Sequence, residues 1–185
     1  MTVDLFTFNQ FFVQFKAPNA DELTSYVLNK SEEYIEFSWA AGCQLKTISC
    51  SAQEIGKLIE PSVDLFSERL GKPFRFNLSN PWINCYERGS YQDIHDHIES
   101  DFSSVFFPQE QEDDFGKFYF YDRYGNSLSP KWKKLFGLYD RWTPNISPGD
   151  IIFFPSNVLH GVSIHKSEKT RKSFSCNYSF TSSEK

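Results

Sequence analysis

No two cysteines in this 185-residue chain are spaced as C-x-x-C. Cys43, Cys50, Cys85 and Cys176 lie far apart, which argues against a zinc knuckle or a thioredoxin-type redox pair. No apolar run approaches the ~18 residues that carry a helix across a bilayer, so no membrane partner is expected. The start, MTVDLFTF, lacks a basic n-region, so no signal peptide is read and a reduced, cytoplasmic chain is expected. Positive charge is also in short supply. Nineteen Lys and Arg face 24 Asp and Glu, giving a formal net charge of −5, without the basic face of a general nucleic-acid binder. Internal repeats and low-complexity tracts are absent too. Histidine is scarce at four residues, so each can be weighed on its own.

Aromatic residues are plentiful: 20 Phe, 9 Tyr and 4 Trp make up 18% of the chain, and Phe and Tyr in short runs favour strands. With 39% hydrophobic and 23% charged residues the composition is ordinarily globular. The length suits one domain with a single core, so 1–185 is read as one domain. Residues 1–72 read as a helical flank. Phe11 to Phe15 form a short strand there, and Asn19 with Glu22 has capping-box spacing before a helix at about 20–35. Ser51 and Glu54 repeat the device. Ile55, Leu58, Ile59, Val63, Phe66 and Leu70 then mark a second helix ending at Gly71, expected to kink near Glu60 because Pro61 lies inside it.

From residue 73 to 181 the period changes to that of strands. Candidates are Phe74–Leu78, Trp82–Tyr86, Ser103–Phe107, Phe118–Tyr121, Ile151–Phe154, Gly161–Ile164 and 172–180, separated by Gly-, Pro- and Asp-rich turns. Many short strands after a helical start suggest a mainly β sandwich or barrel with the helices packed against it. Segment 124–145 interrupts the rhythm as an insertion. Trp132, Leu135, Phe136 and Tyr139 fall at helical spacing, which suggests a short amphipathic helix able to cover the barrel mouth.

Two of the four histidines sit in Ile94-His95-Asp96-His97-Ile98-Glu99. On a strand, His95, His97 and Glu99 share one face and form a chelating edge. His160 follows the apolar run Phe153-Phe154 and a Pro-containing turn. Two close ligands plus one distant histidine build a three-ligand face for non-haem iron. His165, beside Lys166 and Glu168, is expected in a solvated turn. Arg171 and Ser173 share a face at the start of the last strand. An interior Arg requires an anion, which a dicarboxylate supplies, and Ser173 can add a hydroxyl donor.

In order, the chain offers Trp82-Ile83-Asn84, Gly89, His95-Asp96-His97, Ser103 to Phe107, Gly116 to Phe120, Pro148-Gly149-Asp150, Phe154 to Val162, and Arg171 to Ser173 with Asn177. This set, over about residues 80–180, resembles the 2-oxoglutarate- and Fe(II)-dependent oxygenases, closest to their small bacterial and phage members. The resemblance implies a double-stranded β-helix, the jelly-roll or cupin-like fold, with N-terminal helices on one sheet. It implies Fe(II) on His95, His97 and His160, and 2-oxoglutarate held by Arg171 and Ser173, with Tyr86 and Asn177 close by. The implied activity is hydroxylation of a small-molecule or peptidyl substrate, with O₂ consumed and succinate and CO₂ released. The family usually has HxD or HxE, whereas position 97 is His. Either three histidines form the set, which fits the motif better, or the frame slips to His97, Glu99 and His160. Two other readings stay open: a three-His dioxygenase without 2-oxoglutarate, and a non-catalytic jelly-roll binding module. The sequence says nothing about oligomeric state.

Overall fold

The computed structural model describes residues 11–31, 35–37, 43–71, 75–123, 129–137 and 140–181. Its strands are β1 (Val13–Lys16), β2 (Ile35–Phe37), β3 (Cys43–Ser49), β4 (Arg75–Tyr86), β5 (Tyr91–His95), β6 (Phe102–Phe107), β7 (Phe118–Tyr121), β8 (Arg141–Trp142), β9 (Asp150–Pro155), β10 (His160–Val162) and β11 (Arg171–Thr181). The helices are α1 (Ala20–Asn29), α2 (Ala52–Leu70) and α3 (Pro130–Phe136). All pairings are antiparallel, in the order β1-β9-β6-β11-β4-β3-β5-β10-β7-β8, with β2 also on β3. The sheet curls at β3, whose residues Lys46 to Ser49 pair with β4 while Cys43 and Gln44 pair with β5. The result is a jelly roll, mainly β, with two facing layers and helices on the outside of one.

Side-chain alternation makes two cores. On β11, Phe174, Cys176 and Tyr178 point outward to α1 and α2 and pack with Leu23, Val27, Ile55, Ile59, Val63 and Phe66. On β9, Ile151 and Phe153 join that core, and Phe66 stacks on Phe153 with ring centroids 4.5 Å apart. The alternate residues Ile152 and Phe154 turn inward to a second cluster with Val105, Phe107, Phe118 and Phe120 between the layers. Arg171, Ser173, Ser175 and Asn177 of β11 face the same interior.

The helical flank proves to be more than helical: β1 borders β9, and β3 joins the two layers. Helix α1 ends at Asn29, and residues 32–34 of the longer helix expected there lie outside the described residues. Neither expected capping side chain caps its helix. The Asn19 amide instead donates to the Leu58 carbonyl, tying α1 to α2, and Glu54 pairs with Lys30. Helix α2 runs through Pro61 unbroken, held by its buried face of Ile55, Ile59, Ser62, Val63 and Phe66. The two strands expected at 74–78 and 82–86 are one, β4. Asn80, at φ 42°, and Pro81 together oppose Cys176 in a bulge, where the missing proline N–H breaks no ladder bond. In the insertion, α3 forms, but Trp132 and Leu135 are exposed. Residues 124–128 and 138–139 lie outside the described residues, as does the Phe136 side chain.

Gly161 lies between β5 and β7 at a point of close approach. A Cβ there would sit 2.6 Å from the Tyr119 hydroxyl and 2.9 Å from the Gln92 carbonyl oxygen. Gly161→Ala should therefore destabilise the chain by about 1–3 kcal/mol, measured by denaturant unfolding. Adding Tyr119→Phe should recover only part of that loss, because the Gln92 backbone remains in place. Full recovery would show that the hydroxyl alone was the obstacle.

Candidate metal centre

His95 closes β5, and His160 opens β10 directly opposite it. His97 lies two residues beyond the strand, in a turn whose Ser100 N–H donates to the His97 carbonyl. The His97 N–H donates to Ser156 at 2.7 Å, so the loop before β10 holds the turn over the pocket. The ring centroids are 4.3 Å apart for His95–His160, 5.1 Å for His95–His97 and 5.2 Å for His97–His160. One nitrogen from each ring lies within 4.8 Å of the others. Among the described residues this is the one His/Cys/Asp/Glu group so arranged. Glu99 is exposed in the turn and outside the group, so strand parity fails beyond His95.

Backbone carbonyls fix two of the rings. The His95 Nδ1–H faces the Asp93 oxygen at 2.7 Å, and the His160 Nδ1–H faces the Val158 oxygen at 2.9 Å. Both therefore leave Nε2 with its lone pair available to a metal. Burial pushes all three histidines toward the neutral form. His97 drops from 6.5 to about 4, with His95 adding to the burial effect. His95 is lowered by burial against the opposing pull of Asp93 and Asp96. His160 is held well below the usual range by burial and then by its two neighbours. Neutral imidazoles are the form in which histidine ligates.

Across the pocket, Arg171 is wholly buried. Its guanidinium carbon lies 4.8 Å from the Tyr86 ring centre and 5.7 Å from that of Phe107. Its Nε donates to Gln111 at 3.2 Å, while Nη1 is buried with no hydrogen-bond partner. It forms no ion pair among the described residues. A buried cation with an idle donor fits an absent anion. Ser173 is buried beside it and accepts from Asn84 at 3.3 Å. Tyr86 donates to Gln92 at 2.5 Å, and burial pushes its phenol up to about 12, so it stays a donor. Asn177 accepts from Ser103 at 2.8 Å. All seven candidate residues line one pocket. His165 does not belong to it and is not solvated. It is fully buried, accepting from the Gly116 N–H through Nδ1 and donating to the Lys169 carbonyl through Nε2.

A family model described as "Putative 2OG-Fe(II) oxygenase", where 2OG is 2-oxoglutarate, matches residues 80–177, just over half of the chain. The chain belongs to the 2OG-Fe(II) oxygenase family. Its cofactors are accordingly Fe(II) and 2-oxoglutarate. Solved structures share the oxygenase fold at low identity. A 2OG-Fe(II) oxygenase family oxidoreductase from Burkholderia pseudomallei has a TM-score of 0.65 at 15% identity, over 91% of this chain and 84% of that one. The 2-oxoglutarate-dependent epimerase SnoN of nogalamycin biosynthesis has 0.67 at 14%, over 92% and 77%. A Pseudomonas putida prolyl-4-hydroxylase has 0.63 at 12%, over 92% and 93%. The sequence matches no curated protein.

The oxygenase pocket also contains Asn84, which the sequence offered within Trp82-Ile83-Asn84 but without a role in the site, and Gln92 and Ser175, which it did not single out. Asn84 and Ser175 share strand parity with Tyr86 and Ser173, a signal that could have found them. Among the described residues no helix of the oxygenase is long and apolar enough to cross a membrane.

The depressed His97 value has a consequence for stability. The unfolded oxygenase takes up a proton at this residue near pH ~6.5, and the folded chain only near pH 4. The stability at stake is whole above pH ~6.5 and is lost as the pH falls toward 4. The melting temperature of the metal-free chain should drop over that window, and His97→Gln should flatten the drop. Parallel melting curves for the two proteins would remove His97 from this role.

Proposed function

We propose that the oxygenase hydroxylates a C–H bond of a small-molecule or peptidyl substrate, with Fe(II) on His95, His97 and His160 and 2-oxoglutarate gripped by Arg171. The observation that carries this reading is the idle Nη1 of a wholly buried Arg171 in the same pocket as three neutral imidazoles. Bound iron supplies the O₂ chemistry that couples conversion of 2-oxoglutarate to succinate and CO₂ with oxygen insertion into the substrate.

The chain's own residues bind, orient and exclude water. Arg171 meets the distal carboxylate with charge-assisted hydrogen bonds, and its guanidinium already lies over the rings of Tyr86 and Phe107. Ser173 adds a hydroxyl on the same strand face. Tyr86 and Asn177 lie alongside the cosubstrate, each oriented by a neighbour, Gln92 and Ser103. The backbone carbonyls of Asp93 and Val158 hold two imidazoles in the tautomer that leaves Nε2 for the metal. Phe118 and Phe154 line the pocket and keep it poor in water.

Purified protein supplied with Fe(II), 2-oxoglutarate and O₂ should form succinate. O₂ uptake without succinate would favour a three-His dioxygenase that does not use 2-oxoglutarate. His160→Ala should lose stoichiometric Fe(II) binding while keeping its circular dichroism, whereas Glu99→Gln should bind Fe(II) as wild type does. Arg171→Met removes a buried charge-assisted pair worth about 2–5 kcal/mol. It should weaken 2-oxoglutarate binding by roughly 30-fold to several-thousand-fold in calorimetry. Unchanged affinity would take Arg171 out of the cosubstrate site.

A further inference from the structure

The segment between β6 and β7 lies over the start of β11. Gln109 brackets Arg171 along the main chain. Its amide donates to the Thr170 carbonyl at 3.3 Å and accepts from the Lys172 N–H at 2.7 Å. Gln111 holds the side chain, accepting from Arg171 Nε at 3.2 Å and donating to the Gln109 carbonyl at 2.9 Å. The two glutamines are thus joined to each other, to the backbone on either side of Arg171 and to its guanidinium. The segment is itself anchored. The Lys117 ammonium donates to the carbonyls of Gln111 and Glu112, and Glu112 pairs with Lys169 at 2.8 Å. The Gly116 N–H meets the buried His165 at 3.2 Å.

The chemistry of this contact matters as much as its geometry. A guanidinium has five donors in a fixed plane. Here its carbon lies over the rings of Tyr86 and Phe107, Gln111 occupies Nε, and Nη1 is left without a partner. The acceptor at Nε is a neutral amide, so it aims the plane without cancelling the charge. A carboxylate at the same place would aim it equally well and neutralise it.

We propose that Gln109 and Gln111 are a positioning pair for Arg171, and that the neutrality of Gln111 keeps its charge available to the second carboxylate of the cosubstrate. This inference rests on the reading of Arg171 as the partner of that carboxylate.

The test is calorimetric titration of the Fe(II)-loaded protein without O₂, using 2-oxoglutarate and, in parallel, 2-oxopentanoate. The latter keeps the α-keto acid head and replaces the distal carboxylate with a methyl group. Gln111→Glu should weaken 2-oxoglutarate binding about tenfold or more, leave 2-oxopentanoate and Fe(II) affinity unchanged, and melt no lower than wild type. Gln111→Leu should also weaken 2-oxoglutarate selectively, and Gln109→Leu should do so to a smaller degree. Wild-type affinity for 2-oxoglutarate in Gln111→Glu, or equal weakening of both ligands, would overturn the proposal. Arg171→Met separates the two levels of inference. If it binds 2-oxoglutarate like wild type, the reading of Arg171 falls and the proposal with it. If it loses affinity while the Gln111 variants do not, only the positioning pair falls.

Discussion

The site depends on the register of a three-residue strand. β10 lies between β5 and β7, with His160 opposite His95 on one side and Phe120 on the other. That register brings a histidine 65 residues away in sequence to a centroid distance of 4.3 Å from His95. A slip of one residue would turn His160 to the opposite face. Gly161 protects the register, because neighbouring strands close over a residue with no side chain. The turn carrying His97 is fixed to the same loop through Ser156.

The electrostatics of the pocket run in one direction. Three imidazoles are kept neutral, and the wholly buried guanidinium has no ion pair among the described residues. Burial of such a cation is unfavourable unless an anion arrives. A ligand set of three histidines also leaves the full charge of a divalent ion to be met by other ligands, where a carboxylate in place of His97 would have met part of it. On the proposed reading of the site, a dicarboxylate answers both demands, one at each end of the molecule.

Much of this was legible in the sequence. Short aromatic and apolar runs bounded by turn residues marked β6, β7, β9 and β11 closely, because these strands are buried on both faces. Strand parity put Arg171 and Ser173 together. β3, in Cys43–Ser49, went unread because nothing local shows that it pairs on both sides. The His95 and His97 pairing came from strand parity, yet His97 stands past the end of the strand. The turn that places it depends on hydrogen bonds to distant Ser156 and local Ser100. His165 looked solvated because charged residues surround it in sequence. Its burial comes from contacts with Gly116 and Lys169 across the turn. Gln109 and Gln111 carry no motif at all, and their meaning exists only once the chain from β6 is laid across β11.

β3 belongs to both layers, since it pairs with β4 at one end and β5 at the other. Detaching it would uncouple the half that carries His95 and His160 from the half that carries Arg171. The two halves of the site therefore cannot open independently at this seam, and the amides of β3 should exchange with solvent only when the whole jelly roll comes apart.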